Sequence, residues 1–283
     1  MNGFLNIFKP AGKTSHDVVN IVRRTLNEKR VGHAGTLDPD AVGVLPVAVG
    51  KSTRLIDFLP SDKAYRFELQ FGIETDSGDS TGKIVDSLEE FTMPSREKIL
   101  QVFEKFRGEI DQIPPRFSAI KIHGRKAYDL ARKDLEFEVP SRKIKIYQLD
   151  LLKIDQDEKF VECDVSCSKG TYIRSLCRDL GVEFGIPATM KRLTRTRSGN
   201  FSIEDSIQLV DVNADKILDP GECLSNLPKI FLRAERVPAF CNGLSTSLYK
   251  EGNCENVRVY SEEKFIGIGR VEKSELFPKV VMA

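Results

Sequence analysis

Val31-Gly32-His33-Ala34-Gly35-Thr36-Leu37-Asp38-Pro39-Asp40-Ala41-Val42-Gly43-Val44-Leu45-Pro46 packs three glycines, two prolines and a histidine into one short span. That composition excludes an ordinary helix and a central strand. Glycine permits positive φ and close approach of a partner, while the Asp38-Pro39 bond keeps Asp38 out of the α region. The stretch predicts a stiff loop, entered from a basic segment and left through an apolar one, that presents the Asp38 carboxylate at a fixed place. Taken alone, such an aspartate can be a turn-maker, a helix cap, a metal ligand or a catalytic group. A metal is the poorest of these, since beyond Asp40 no second acid or histidine stands at a ligand spacing.

On the amino-terminal side, residues 3–8 read as a short strand ending in the turn Lys9-Pro10-Ala11-Gly12-Lys13. Thr14 or Ser15 then caps a helix whose apolar face is Val18, Val19, Val22 and Leu26. On the other side, Gly50-Lys51-Ser52-Thr53 looks like the end of a phosphate-binding loop. That motif needs a glycine at position 45, which is leucine, so a nucleotide-triphosphatase is excluded and Ser52 is expected to cap a helix carrying Leu55, Ile56 and Leu59. Tyr65, Phe67, Leu69, Phe71 and Ile73 then alternate with polar residues, the mark of a half-buried strand. An acidic turn-rich segment, 75–82, follows, and Ser95 caps a helix stopped by Gly108.

Residues 113–133 mix Arg116, Lys121, His123, Arg125 and their neighbours with Phe117 and Tyr128, which suits a flap over a nucleic-acid strand. Two strands, 142–152 and 159–168, precede a helix expected over 172–180 and closed by Gly181. Arg174 sits in its first turns. Ala188 to Arg197 is short and basic. Beyond about Ser225 short β-rich pieces punctuated by Gly and Pro predict a compact β-barrel.

The 283 residues, about 40% hydrophobic and 30% charged, suit a globular protein with one large domain and one small. Apolar runs are too short to span a bilayer and the amino terminus lacks a signal-peptide pattern, so a cytoplasmic protein without a membrane role is expected. Six cysteines include no Cys-x-x-Cys pair; they predict buried thiols rather than zinc ligands or disulfides. Net charge is only +1, yet residues 116–145 hold nine basic residues against four acids, and Lys191, Arg192, Arg195 and Arg197 crowd seven positions without an acid. Basic lobes of this kind are compatible with a phosphate backbone, although solvated helix faces give similar runs.

Gly32-His33-Ala34-Gly35-Thr36-Leu37-Asp38-Pro39 with Gly43-Val44-Leu45-Pro46 resembles the signature of the bacterial tRNA pseudouridine synthase B (TruB) family. The resemblance continues, in order, through Lys9-Pro10, Thr14-Ser15-His16-Asp17, Lys63-Ala64-Tyr65-Arg66-Phe67, Thr75-Asp76 with Asp79 and Gly82, Pro114-Pro115 with Phe117-Ser118-Ala119, and Ser168 to Leu176, reaching about Leu193. The tail, with Asn242-Gly243, residues 265–269 and Pro278-Lys279-Val280, is similar to the small PUA RNA-binding domain.

The resemblance implies an α+β fold. A mixed, largely antiparallel sheet with flanking helices forms a synthase domain over 1–225, with a basic insertion at about 112–140, and a small PUA-like β-barrel follows over 226–283. It implies isomerisation of uridine 55 in the T loop of tRNA to pseudouridine by a monomer, with no cofactor and no metal, and an accompanying tRNA-folding chaperone role. Asp38 would be the catalytic aspartate, Arg174 its paired arginine, Tyr65 the ring that stacks on the flipped uracil, and Tyr172 a second site tyrosine for packing or proton transfer. His33 would enter the T loop, Asp79 would orient side chains, and Leu193 would line the uracil pocket. Lys9, Gly35, Thr36, Arg116, Lys121, Arg125, Lys191 and Arg192 would contact RNA. Two other classes stay in view. A non-catalytic RNA-remodelling module would not need a carboxylate beside phosphates, and a guide-RNA-dependent synthase would carry long basic extensions that this chain lacks.

Overall fold

A computed structural model describes residues 1–282 apart from 119, 123, 134 and 249–251. His123 of the expected flap and Ala119 of the motif after Pro115 therefore lie outside the described residues. In chain order the elements are β1 (Gly3–Lys9), α1 (Ser15–Leu26), β2 (Val31–His33), β3 (Val42–Val49), β4 (Lys63–Phe71), β5 (Ile73–Thr75), β6 (Ile84–Ser87), α2 (Arg96–Phe106) and β7 (Gly108–Gln112). The insertion contributes β8 (Lys121–Ile122), β9 (Arg125–Lys126) and α3 (Ala127–Ala131). Then come β10 (Arg142–Asp155), β11 (Phe160–Cys167), α4 (Ile173–Phe184), β12 (Ala188–Ser198), β13 (Phe201–Ser202), β14 (Ile207–Gln208), α5 (Pro220–Cys223) and β15 (Lys229–Phe231). The chain finishes with α6 (Val237–Cys241), β16 (Thr246–Ser247), β17 (Cys254–Ser261), β18 (Lys264–Glu272) and β19 (Glu275–Val281). This is the expected α+β composition with a mixed sheet. Among the described residues no helix is long and apolar enough to cross a membrane.

Two compact units divide the chain. One comprises Met1–Pro39, Gly43–Pro60 and Ser198–Ala283, the other Asp40–Val42 and Ser61–Arg197.

In the first unit β1 runs antiparallel to β3, from Gly3↔Val49 to Lys9↔Gly43, and parallel to β14 at Ile7↔Ile207. β3 is buried on both faces, which is why its sequence is a near-continuous apolar run rather than an alternation. Leu45, Val47 and Val49 join Leu5 and Ile7 in packing against Val18, Val19, Val22 and Leu26 of α1. Val44 and Ala48 join Phe4 in a second core with Leu55, Phe201, Tyr260, Phe265, Ile268 and Val280. The carboxyl-terminal strands therefore share apolar core with the amino-terminal ones. They form a five-stranded sheet, ordered β15-β17-β18-β19-β16, consistent with the compact PUA-like barrel expected.

Two expectations for this unit are corrected. The ends of the opening stretch are strands, and β3 runs between β1 and β2 with Pro46 inside it. Pro46 is tolerated because its carbonyl, and hence its donorless nitrogen, faces the β2 side one residue past the last pair, His33↔Val47. There it accepts from the Ala34 amide at 2.9 Å. Ser52 caps nothing: it lies within a 3-10 helix, Gly50–Phe58, fully buried and without a hydrogen-bond partner for its hydroxyl.

In the second unit the sheet order is β12-β4-β11-β10-β7. β4 pairs antiparallel with β11 from Lys63↔Cys167 to Gln70↔Phe160. Tyr65, Phe67, Leu69 and Phe71 are buried on one face as the alternation predicts, and Cys163 and Cys167 are buried thiols. Gly72, at φ 89°, ends this strand, so Ile73 belongs instead to the β5–β6 hairpin. The short basic segment 188–197 is a full strand, β12, whose alternation sorts its cations onto two faces.

Candidate active site

The first unit holds the aspartate loop. Its stiffness comes from four anchors. The Ala34 amide donates to Pro46 at 2.9 Å, and the buried Ser15 hydroxyl accepts from the Leu37 amide at 2.9 Å. The Gly12 amide and the Lys9 ammonium both donate to the Pro39 carbonyl, at 3.0 and 2.7 Å. Lys9 also donates to the carbonyls of Pro10 (2.9 Å) and Lys13 (2.6 Å). Leu37 is buried, and Gly35 and Gly43 take φ values of 94° and 106° that favour glycine. Half-buried Asp38 thus lies between two clamped neighbours.

This geometry corrects Lys9. It was expected to meet RNA, but it is fully buried and holds the loop from beneath. Gly35 and Thr36 are exposed at the loop tip, and His33, half-buried, ends β2 opposite Val47.

The second unit gathers most of the other expected residues. Arg174, only 5% exposed, donates through Nη1 to the Ser77 carbonyl (3.0 Å) and through Nη2 to the Phe117 carbonyl (3.1 Å). Its Nε lies 3.7 Å from Asp79 Oδ2. Asp79 Oδ1 accepts from the Ser77 hydroxyl (2.8 Å) and from the Thr81 hydroxyl (2.6 Å) and amide (3.1 Å). The acidic hairpin tip is itself fixed to β12, where Met190 donates to Gly78 and accepts from Ser80, each at 3.1 Å. Arg174 therefore ties α4, the hairpin tip and the root of the insertion together.

Tyr65, on the inner face of β4, is hydrogen-bonded by Arg195, whose guanidinium is 1% exposed; burial lowers the pKa of that guanidinium. The basic cluster 191–197 is thus split. Alternation on β12 puts Leu193 and Arg195 on one face, while Arg192 points outward at 76% side-chain exposure, 3.7 Å from Glu68. Lys191 pairs with Glu158 at 2.6 Å and Arg197 pairs with Asp62. Lys63, two residues before Tyr65, has its ammonium pushed down to about 8 by burial and by the neighbouring Arg195.

Tyr172 is the N-cap of α4. Its amide donates to Gln112 Oε1 (2.8 Å), and Gln112 Nε2 donates back to its carbonyl (3.1 Å), while the Arg142 guanidinium lies 5.2 Å from the ring centroid. In the insertion, Arg116 stacks on Phe137 at 5.0 Å and donates to Leu135, and Lys121 and Arg125 are exposed on the β8–β9 hairpin. Lys126 and Arg132 both lie against the Tyr128 ring. Sequence reasoning missed Gln112 and the Arg195–Tyr65 contact; the period-two pattern along 188–198 carries the signal for the second. Among the described residues no group of three or more His, Cys, Asp or Glu could hold a metal ion.

Residues 23–173 match the family model described as "TruB family pseudouridylate synthase (N terminal domain)". Residues 174–226 match "tRNA pseudouridylate synthase B C-terminal domain" and 228–282 match "Pseudouridine synthase II TruB, C-terminal". A tRNA pseudouridine synthase B of Clostridium tetani is 44% identical over 96% of each chain, and one of Heliobacterium mobile is 45% identical over 88% of this chain and 82% of its own. Among solved structures, that of an H/ACA RNP bound to a substrate RNA containing 2′-deoxyuridine aligns at a TM-score of 0.72 and 27% identity, over 99% of this chain and 84% of that one. A Cbf5-Nop10-Gar1 complex aligns at 0.73 and 29%, with the same coverage.

Proposed function

This chain belongs to the TruB family of pseudouridine synthases, isomerases of tRNA, and on that premise we propose that it converts uridine 55 of the T loop to pseudouridine with Asp38 as nucleophile. The observation that supports this most is the double clamp on either side of Asp38, through Ser15 on Leu37 and through Lys9 and Gly12 on Pro39. Reactive groups gain most when their positions are fixed before substrate arrives.

The reaction breaks the bond from C1′ to N1, turns the uracil and joins C1′ to C5; C5 gives up its proton and the freed N1 takes one up. Substrate and product are isomers, so no oxidant, reductant or co-substrate is consumed. The Asp38 carboxylate attacks C6 of the base or C1′ of the ribose, or stabilises an oxocarbenium-like species. Arg174 supplies the cation that keeps a carboxylate ionised once RNA has excluded water, and Asp79 orients it. Tyr65 stacks on the flipped uracil; an aromatic face contributes about 1–3 kcal/mol toward the few kcal/mol that flipping costs. Leu193 lines the pocket, and Tyr172 packs beside the base or carries the C5 proton.

His33, Gly35 and Thr36 enter the T loop, while Arg116, Lys121, Arg125, Lys191 and Arg192 meet phosphates. Residues 1–225 form the synthase domain and 226–283 a PUA-like RNA-binding domain, acting as a monomer in the cytoplasm where tRNA matures. Prising open the T loop also gives the protein a tRNA-folding role. The test is a pseudouridine map of an unmodified tRNA transcript after incubation with the protein. Modification at position 55 alone is expected; modification elsewhere, or none, overturns the assignment.

A further inference from the structure

We infer that the outward face of α1 is a second phosphate site for the substrate RNA, one that grips the T-arm stem beside the aspartate loop. The inference rests on tRNA being the substrate. Asp17, Asn20, Ile21 and Arg24 recur at i, i+3, i+4 and i+7, so they form one stripe opposite the buried face of Val18, Val19 and Val22. With Lys13 and Arg23 they line a groove of about 520 Å³.

The charges in that groove are unbalanced. Its one acid, Asp17, is committed to the helix start: it accepts from the Thr14 amide (2.9 Å) and hydroxyl (2.6 Å), bonds that lower its pKa. Arg23 is also engaged, donating to Asn20 Oδ1 (3.2 Å) and to the Val31 carbonyl (2.9 Å). With its Oδ1 accepting from Arg23, the Asn20 side chain keeps its amide N–H groups as further donors on this face. Lys13 acts on the Asp17 carboxylate through its charge without closing an ion pair with it, and Arg24 forms no ion pair among the described residues. Lys13 and Arg24 stand eleven positions apart with the Asn20 side chain between them, a spread that fits the spaced oxygens of a nucleic-acid backbone better than a single compact anion.

Position argues for the substrate rather than an unrelated anion. The Lys13 carbonyl receives the Lys9 ammonium, and the adjacent Gly12 amide binds Pro39, so the groove opens from the very turn that clamps the aspartate loop.

The experiment measures binding of a T-arm stem-loop RNA to the full chain across a salt series, for wild type, the double variant Lys13→Gln/Arg24→Gln, and the control Lys98→Gln on α2. Each phosphate contact contributes about 0.7–0.9 to the slope of log affinity against log salt. The double variant is expected to lose about 1.5 of slope and to bind roughly tenfold more weakly at low salt, while turnover at saturating RNA is retained. An unchanged slope overturns the site, as does an equal loss in Lys98→Gln or a loss seen with whole tRNA but not with the stem-loop. The slope needs no catalysis, so a wild type that binds RNA normally but makes no pseudouridine refutes the proposed activity and leaves the groove standing.

Discussion

Replacing Lys9 by methionine keeps the unbranched shape of a fully buried side chain and deletes its charge. The ammonium holds three carbonyls, Pro10, Lys13 and Pro39, at 2.6–2.9 Å. A hydrogen bond to a charged group contributes roughly 1.5–3 kcal/mol, so three give a gross loss of about 5–9 kcal/mol. Two effects reduce it: the Pro39 carbonyl keeps the Gly12 amide, and methionine has no ammonium to desolvate on folding. The net cost is about 2–4 kcal/mol, which a domain of ordinary stability survives at 25 °C. Urea unfolding measures it. The same change frees the Pro39 side of the loop, and a misplacement of about 1 Å lowers turnover by about 10²-fold. Tritium release at saturating RNA should therefore fall 10- to 100-fold in kcat while KM moves little. A variant within 0.5 kcal/mol of wild type, with kcat within twofold, would refute the clamp.

Arg174→Lys, which retains charge but loses the fork that reaches two carbonyls and Asp79, should cost about 1–3 kcal/mol and most of the turnover; near-normal activity would show that charge alone suffices there. Lys63 titrates near 8 in the folded chain against 10.5 ordinarily, so the unfolded chain holds its proton more tightly. Its cost is complete below pH 8, and stability rises as pH climbs from 8 to 10.5. Lys63→Met should thus stabilise the protein at pH 7, by at most about 3 kcal/mol, with the gain vanishing by about pH 10.5. Urea midpoints for both proteins across that range check this, and a pH-independent gain would rule out the desolvated ammonium.

Local rules made much of the fold legible. Thr14 caps α1 with the capping box its Asp17 announces, and the alternation of Tyr65, Phe67, Leu69 and Phe71 names the buried face of β4. What failed were residues whose role depends on a distant partner. Gly181 looks like a helix stop, yet α4 runs on to Gly185, because Gly181 is where the helix presses on Ala188; a Cβ there would lie 2.8 Å from the Ala188 Cβ. Pro46 looks like a strand breaker, yet β2 ends just before the ladder would need its nitrogen to donate. At the site, Asp38 and Arg174 stand out by motif, whereas the burial of Lys9 and Arg195 does not. Both cations sit inside because backbone carbonyls or a tyrosine receive them, and neither partner leaves a mark at a fixed sequence spacing.

If Asp38 does covalent or charge-stabilising work on a uridine, removing its carboxylate stops the loss of the C5 hydrogen. Tritium is followed as it leaves tRNA carrying 5-tritiated uridine, with wild type and Asp38→Asn compared at equal RNA occupancy. The isosteric amide keeps the loop and removes the carboxylate, so wild type should release one equivalent and Asp38→Asn essentially none. Release by Asp38→Asn at the wild-type rate, or no release by either protein, would contradict the account.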